Sequence, residues 1–279
     1  MKWRARATFS RGRGPLAAEN AKIPRETLNV PPPDEAPRGF RFVACHASAD
    51  MADVPTKIPK TGFVVAIDGP AGAGKSTLAR ALAHRLRLPY VNTGLMYRAL
   101  AARALEAGIG LENGPALAEI TGAFRFSLRP GRGGVELAID GRAPAPYLTS
   151  SEVEAVVSGV SSHPPVRAVM RAEQRRLGAV GCVMEGRDIG SVVFPDADVK
   201  IFLSALPKER ARRRSRERGP TRIADAVARR DALDSRTNPL EPAPDAVVLD
   251  TTRLSPKRVL ARALELVEST DPGTKRAGW

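Results

Sequence analysis

Eight residues, Gly69-Pro70-Ala71-Gly72-Ala73-Gly74-Lys75-Ser76, fit the pattern G-x-x-x-x-G-K-[ST], and their flanks constrain the chain as much as the octet does. Before them, Phe63-Val64-Val65-Ala66-Ile67 is an unbroken apolar run ending at Asp68, as a parallel strand buried on both faces would be. After them, Leu78, Leu82 and Leu86 recur every four residues among Arg80, His84, Arg85 and Arg87, so a helix lays one apolar stripe on the sheet. A strand feeding a Gly-rich turn that opens a helix is a phosphate cradle. Its glycines let backbone N–H groups turn inward, and the helix N-terminus adds partial positive charge. Gly69 to Ser76 are therefore assigned to a nucleoside triphosphate, with Lys75 reaching its β and γ phosphates and Ser76 offering a hydroxyl to Mg²⁺.

Further short strands are expected at Cys182-Val183-Met184, Val199-Lys200-Ile201-Phe202-Leu203 and Ala246-Val247-Val248-Leu249, with helix-length stretches between them. That alternation predicts an α/β fold, a central parallel sheet flanked by helices. One segment breaks it: Phe124 to Leu128 and Val135 to Ile139 alternate in period two around a Gly-rich turn, which predicts an inserted β-hairpin. Lys208 to Arg218 holds seven basic and two acidic residues and reads as a solvated helix face or as a basic flap. Residues 1 to 60, with Pro31-Pro32-Pro33 and no sustained period, are expected to be a disordered extension, and Met51 is a candidate true start. The remaining chain, 61–279, forms one expected domain.

The charge is +14, from 44 Lys plus Arg against 30 Asp plus Glu. Since 35 of the basic residues are Arg and only 9 Lys, coding bias explains the excess as well as a polyanionic partner does. Aromatic residues make up 5% and none interleaves with the basic run, so a stacking platform for nucleic acid is missing and nucleic acid is not the expected partner. No apolar run approaches the roughly 20 residues that span a bilayer, and no membrane association is expected. Cys45 and Cys182 stand alone, with neither a disulfide framework nor zinc ligands around them, as in a reducing, cytoplasmic compartment.

Two further clusters carry chemistry. Asn92-Thr93-Gly94-Leu95-Met96-Tyr97-Arg98 sets hydroxyls, a ring and a guanidinium on one turn; it can grip a second nucleotide, or be a helix start with Thr93 as cap and Tyr97 in the core. Glu185-Gly186-Arg187-Asp188-Ile189-Gly190 follows a short strand, where open α/β sheets place ligand groups. Arg187 suits phosphate and Asp188 accepts protons from an amino group, unless the two form an ion pair that holds the loop.

Taken in order, the phosphate loop, Asn92-Thr93-Gly94-x-x-Tyr97-Arg98, the run from Glu185 through Val192-Val193-Phe194-Pro195-Asp196-Ala197, Arg230-Asp231-x-x-Asp234-Ser235 and Asp250-Thr251-Thr252 resemble the bacterial cytidylate kinases, over roughly residues 62 to 270. The resemblance implies a P-loop kinase with a monophosphate-binding insert at about 92–170 and a short Arg-rich lid at about 206–222. It implies ATP as donor, held by Gly69 to Thr77, Mg²⁺, and CMP or dCMP as acceptor. Arg98 and Arg187 would clamp the acceptor phosphate; Ser158, Arg167 and Asp188 would read the pyrimidine; the Asn92-Thr93 turn and Tyr97 would support the acceptor, Arg230 and Asp234 would face its sugar, and Arg236 is a further candidate for its site. Arg210, Arg213 and Arg214 match the lid, and Arg210 and Arg214, with Lys75, Arg187 and Asp188, make the implied catalytic set. A monomer is expected. The chain departs from the family pattern at Asn92 and Glu185, both usually Asp, at Leu148, where an Arg is common, and between Asp234 and Pro239, a stretch about two residues short. The rival readings are a P-loop kinase for UMP, AMP or shikimate, and a nucleic-acid-binding ATPase.

Overall fold

The structure is a computed structural model that describes residues 62–131, 133–218 and 241–270. The expected extension over 1–60 with Met51, and the candidate residues Arg230, Asp234 and Arg236, lie outside the described residues; the expected lid is described as far as Arg218.

Seven strands form one sheet: β1 (Val64–Asp68), β2 (Tyr90–Asn92), β3 (Phe126–Gly131), β4 (Gly134–Ile139), β5 (Cys182–Glu185), β6 (Val199–Ser204) and β7 (Val247–Asp250). Their order is β3-β4-β2-β5-β1-β6-β7, and every pairing is parallel except β3 with β4. The expected strands thus appear within two residues of their sequence positions, and the inserted hairpin is β3 and β4. The hairpin does not hang off the fold: β4 pairs with β2 through Tyr90 and Glu136 and so extends the sheet.

The helices are α1 (Lys75–Leu86), α2 (Thr93–Glu106), α3 (Gly114–Gly122), α4 (Ser151–Ser161), α5 (Pro164–Gly178), α6 (Pro207–Arg218) and α7 (Pro256–Ser269). Strand β1 shows why the sheet is covered on both sides. Val65 and Ile67 face a core with Leu78, Leu82 and Leu86 of α1 and Val259 and Ala263 of α7. Val64 and Ala66 face the opposite core, with Met96 and Leu100 of α2, Leu117 of α3, Val157 of α4 and Met170 of α5. Each large aliphatic side chain withdrawn from water there contributes about 1.5–3 kcal/mol before entropy is counted. A strand apolar at every position is the sequence record of that double burial.

Helix starts are fixed locally. Asn92 Oδ1 accepts from Leu95 N–H at 3.1 Å and caps α2, and Ser150 and Ser255 cap α4 and α7 in the same way. Thr93, the cap that the sequence suggested, is instead the first helical residue. Cys182 is a buried core thiol, its pKa pushed up to about 12 by desolvation, which keeps it inert.

Candidate active site

Strands β1, β2 and β5 end side by side at Asp68, Asn92 and Glu185, and the loops leaving them build the site, as expected at the carboxyl ends of a parallel sheet. The phosphate loop leaves β1 through Gly69, whose φ of +137° suits glycine. A Cβ there would lie 2.1 Å from the Leu203 carbonyl oxygen of β6, so only glycine lets the loop pass this close to the sheet. Gly74, at φ 99°, then admits the chain into α1. Lys75 Nζ donates to the Pro70 carbonyl at 2.8 Å, bending over its own loop.

A cavity of about 400 Å³ opens beside this loop. Its lining comes from two groups, Ala71, Gly72 and Gly74 to Thr77 of the loop, and Thr93, Tyr97, Arg98, Arg167, Arg187 and Asp188, with Arg214 from α6. Most residues singled out from the sequence, more than ninety positions apart in places, therefore share one space. Gly69, Pro70 and Ala73 shape the loop without lining this cavity. Ser158 is half-buried on α4, while the α4 residues on the wall are Val157 and Ser161; the Ser161 hydroxyl donates to the Ser158 carbonyl at 3.1 Å. Ser161 and Thr149 are wall residues that no sequence motif flagged.

Glu185 ties the two groups together. It is 3% exposed; its Oε2 accepts from the Ser76 hydroxyl at 2.9 Å and its Oε1 from the Tyr90 hydroxyl. Asn92 Nδ2 in turn donates to Tyr90 Oη at 3.2 Å, and Thr93 Oγ1 donates to the Glu185 carbonyl at 2.8 Å. The two departures at Asn92 and Glu185 are thus members of one hydrogen-bond chain, with the neutral amide at one end and the longer acid at the other. Burial beside Glu185 raises the Tyr90 phenol, so Tyr90 stays a donor.

Asp188 pairs with Arg167 at 2.6 Å, each side chain about 15% exposed. Desolvation pushes the Tyr97 phenol up to about 12, with Asp188 adding to the rise and Arg167 opposing it. The Asn92 to Arg98 turn is a helix start, capped by Asn92 rather than Thr93, and its Tyr97 and Arg98 line the cavity. Asp188 does form an ion pair, but with Arg167 of α5 rather than with Arg187. Leu148 turns its side chain into the core and its carbonyl accepts from Arg98 Nη1 at 3.2 Å.

Asp68 went unnoticed in the sequence because it reads as the end of a strand. It is 7% exposed and its carboxylate accepts from the N–H groups of Ile189 and Gly190 at 2.8 and 2.7 Å, so it holds the Arg187-Asp188 loop from behind. Burial lifts its pKa to about 6; the two backbone hydrogen bonds pull it down, nearby Asp188 pushes it up and Lys75 pulls it down.

The α6 arginines separate into two kinds. Arg210, 9% exposed, donates to the Ala205 and Ala71 carbonyls at 3.1 and 3.2 Å and straps α6 to the phosphate loop; the structure does not bring it to the cavity wall. Arg213 grips buried Thr251 through its hydroxyl at 2.9 Å and its carbonyl at 2.6 Å. Thr251 itself donates to Ala73 O, so the turn after β7, α6 and the phosphate loop meet at one side chain. A second cavity of about 630 Å³ lies there, between Thr77 and Leu78, Arg212 and Arg216 of α6, and Arg253 to Pro256; it shares Gly72, Gly74 and Thr77 with the first. The two spaces meet at the phosphate loop, as a triphosphate reaching from a base toward a second substrate would require.

His84 and His163 take no part; the His163 ring meets the Leu111 carbonyl at 2.5 Å. Among the described residues no three His, Cys, Asp or Glu side chains converge, and no helix is long and apolar enough to cross a membrane.

A family model described as cytidylate kinase matches residues 65–269. The cytidylate kinase of Exiguobacterium sibiricum is 45% identical over 214 residues, covering 73% of this chain and 96% of that one. The cytidylate kinase of Geobacillus kaustophilus is 46% identical over 218 residues, covering 75% and 97%. Among solved structures, a shikimate kinase from Acinetobacter baumannii in complex with shikimate aligns at 13% identity and a TM-score of 0.39, covering 75% of this chain and 95% of that chain.

Proposed function

Because the chain belongs to the cytidylate kinase family, we infer that it transfers the γ-phosphoryl group of MgATP to a phosphate oxygen of CMP or dCMP, giving ADP and CDP or dCDP. The observation that carries this reading is one cavity lined both by the phosphate loop and by the Arg98, Arg167, Arg187 and Asp188 cluster. A donor and an acceptor seated on those two groups would share the cavity with their phosphates inward.

The acceptor phosphate is already an anion at neutral pH, so no general base is needed. The work is to align two polyanions and to neutralise the charge on the moving group. The inward N–H groups of the loop and Lys75 would hold the donor phosphates, and the second cavity would hold its base. Arg98 and Arg187 would hold the acceptor phosphate. Asp188, oriented by Arg167, would accept from the exocyclic amino group of cytosine, a group that uracil lacks.

Mg²⁺ fits the oxygens on the wall: it takes few protein ligands beside substrate phosphates, and Ser76 Oγ is positioned for it by the Glu185 carboxylate. When bound, the ion neutralises charge between the β and γ phosphates; Ser76 would hold it and Glu185 would orient Ser76. Arg214 on α6 would move over the donor and, with α6, exclude water from the transfer. We read the enzyme as a monomer, and its content of only two cysteines suits a reducing, cytoplasmic compartment.

ADP formation from MgATP is the test, with CMP, dCMP, UMP, AMP and no acceptor run side by side. Turnover with CMP and dCMP far above the rest is expected. Preference for UMP or AMP would leave the donor site standing and refute the acceptor assignment; no turnover with any acceptor would refute the kinase reading.

A further inference from the structure

One acid beside the first cavity has no part in the transfer just described. Glu154, on the first turn of α4, spreads its two carboxylate oxygens over two other elements. Oε2 is paired with Arg98 Nη2 of α2, and Oε1 lies 3.5 Å from Arg214 Nη2 of α6. Both guanidiniums line the cavity, their side chains only 7% and 12% exposed, and Glu154 is 19% exposed. Two guanidiniums drawn this near one another, largely out of water, repel unless an anion lies between them. Glu154 is that anion. Carboxylate and phosphate oxygens are interchangeable partners for a guanidinium, so a phosphate entering the cavity meets arginines that already carry a counter-ion.

We propose that Glu154 is the resting counter-ion of the acceptor-phosphate arginines, and that an incoming dianionic phosphate competes with it for Arg98 and thereby frees Arg214 and α6 to turn toward the donor. Glu154 is a positioning residue that acts through Arg98 and Arg214. It makes the empty site a poor trap for weakly charged anions and couples occupation of the acceptor wall to the position of the lid helix. A nucleoside without its phosphate cannot break the bridge, and neither can a singly charged anion as well as a dianion does. The proposal rests on the reading of Arg98 as an acceptor-phosphate ligand.

The test is calorimetric binding of inorganic phosphate, and separately of CMP, to the full chain without ATP, for the wild type, Glu154→Gln and Glu154→Ala, with thermal midpoints alongside. Removing the competing charge is expected to tighten phosphate and CMP binding by about five- to tenfold, with KM for the acceptor falling while kcat does not rise in proportion. Affinity unchanged or weakened in a folded Glu154→Gln protein overturns the proposal and makes Glu154 an orienting brace. If Glu154→Ala does not fold, the near-isosteric Gln variant decides alone. Wild-type turnover with CMP is measured in parallel. Tighter phosphate binding by the variants without any CMP turnover would keep the counter-ion and discard the acceptor, whereas CMP turnover with no gain in phosphate affinity would do the reverse.

Discussion

The Ser76 hydroxyl donates to Glu185 Oε2 across 2.9 Å, joining the first turn of α1 to the end of β5, 109 residues away. An acid buried to 3% exposure and tied to a hydroxyl of the phosphate loop orients that hydroxyl's lone pairs toward the space where Mg²⁺ would bind. Glu185→Gln is expected to raise the Mg²⁺ concentration needed for half-maximal ADP formation by about tenfold or more, and to lower kcat by a comparable factor. An Mg²⁺ titration at saturating ATP and CMP reads it; a curve superimposable on the wild type would remove Glu185 from the metal's surroundings.

Arg167 and Asp188 meet at 2.6 Å with little exposure on either side, and truncating one leaves the other charged without its partner. Arg167→Met should raise KM for CMP by about 30-fold and narrow the preference for CMP over UMP, since Asp188 loses its orientation. Arg167→Lys should restore only part of the loss, because an ammonium lacks the planar fork. Competition between CMP and UMP in one assay measures the preference; an unaltered ratio would show that the pair serves the loop and not the base.

Asp68 gives a pH dependence with opposite signs for activity and stability. Its pKa of about 6 lies above the ordinary 3.8, so the folded chain takes up a proton before the unfolded chain does. Stability from this group therefore rises as pH falls from about 6 toward 4. Activity should move the other way, because a protonated carboxyl no longer accepts well from both Ile189 and Gly190 N–H and the Arg187-Asp188 loop loosens. The acceptor phosphate also titrates near pH 6, so the reading is the difference between wild type and Asp68→Asn. The variant should lack the Asp68 inflection in both kcat/KM and thermal midpoint; identical profiles would show that Asp68 does not titrate in this range.

Gly72 sits at φ +76°, and a Cβ there would come within 2.8 Å of the Arg210 carbonyl and 3.1 Å of its Cβ. Gly72→Ala should push α6 off the phosphate loop and loosen the Arg210 strap to Ala71. We expect a loss of about 1–3 kcal/mol in stability and a drop in kcat larger than the change in KM for CMP. Denaturant unfolding and steady-state kinetics measure both; wild-type kcat in the variant would mean that α6 and the loop move independently.

The strands and the phosphate loop were legible in the sequence for related reasons: β1 is buried on both faces and so is apolar from Val64 to Ile67, and the loop has a fixed spacing. The acceptor wall was legible as short clusters but not as a wall, because Tyr97, Arg167 and Asp188 meet only once α2, α5 and the loop after β5 have packed. Asp68 and Glu154 left no mark, since an acid ending a strand and an acid on a first helical turn are each ordinary where they stand, and Thr251 showed only as part of the Asp250-Thr251-Thr252 run, without its contacts. Arg210 and Arg213 looked like neighbours with one role in a basic run. Their helical positions divide them, one onto the Ala71 carbonyl and the other onto Thr251. The departures at Asn92 and Glu185 could be weighed only singly in the sequence, and their connection through Tyr90 is a fact of three dimensions.

The hairpin's place in the sheet limits how this enzyme can be recombined. Since β4 lies beside β2, and β2 ends in the Asn92 turn, the proposed acceptor insert is stitched into the same sheet that carries the phosphate loop. A chimaera that exchanged the insert as if it were a detachable loop would strip β2 of its outer neighbour and bare a row of peptide groups beside the catalytic centre. Any modular swap of acceptor chemistry onto this scaffold has to import a matching strand pair, in register with Tyr90, along with the side chains that read the base.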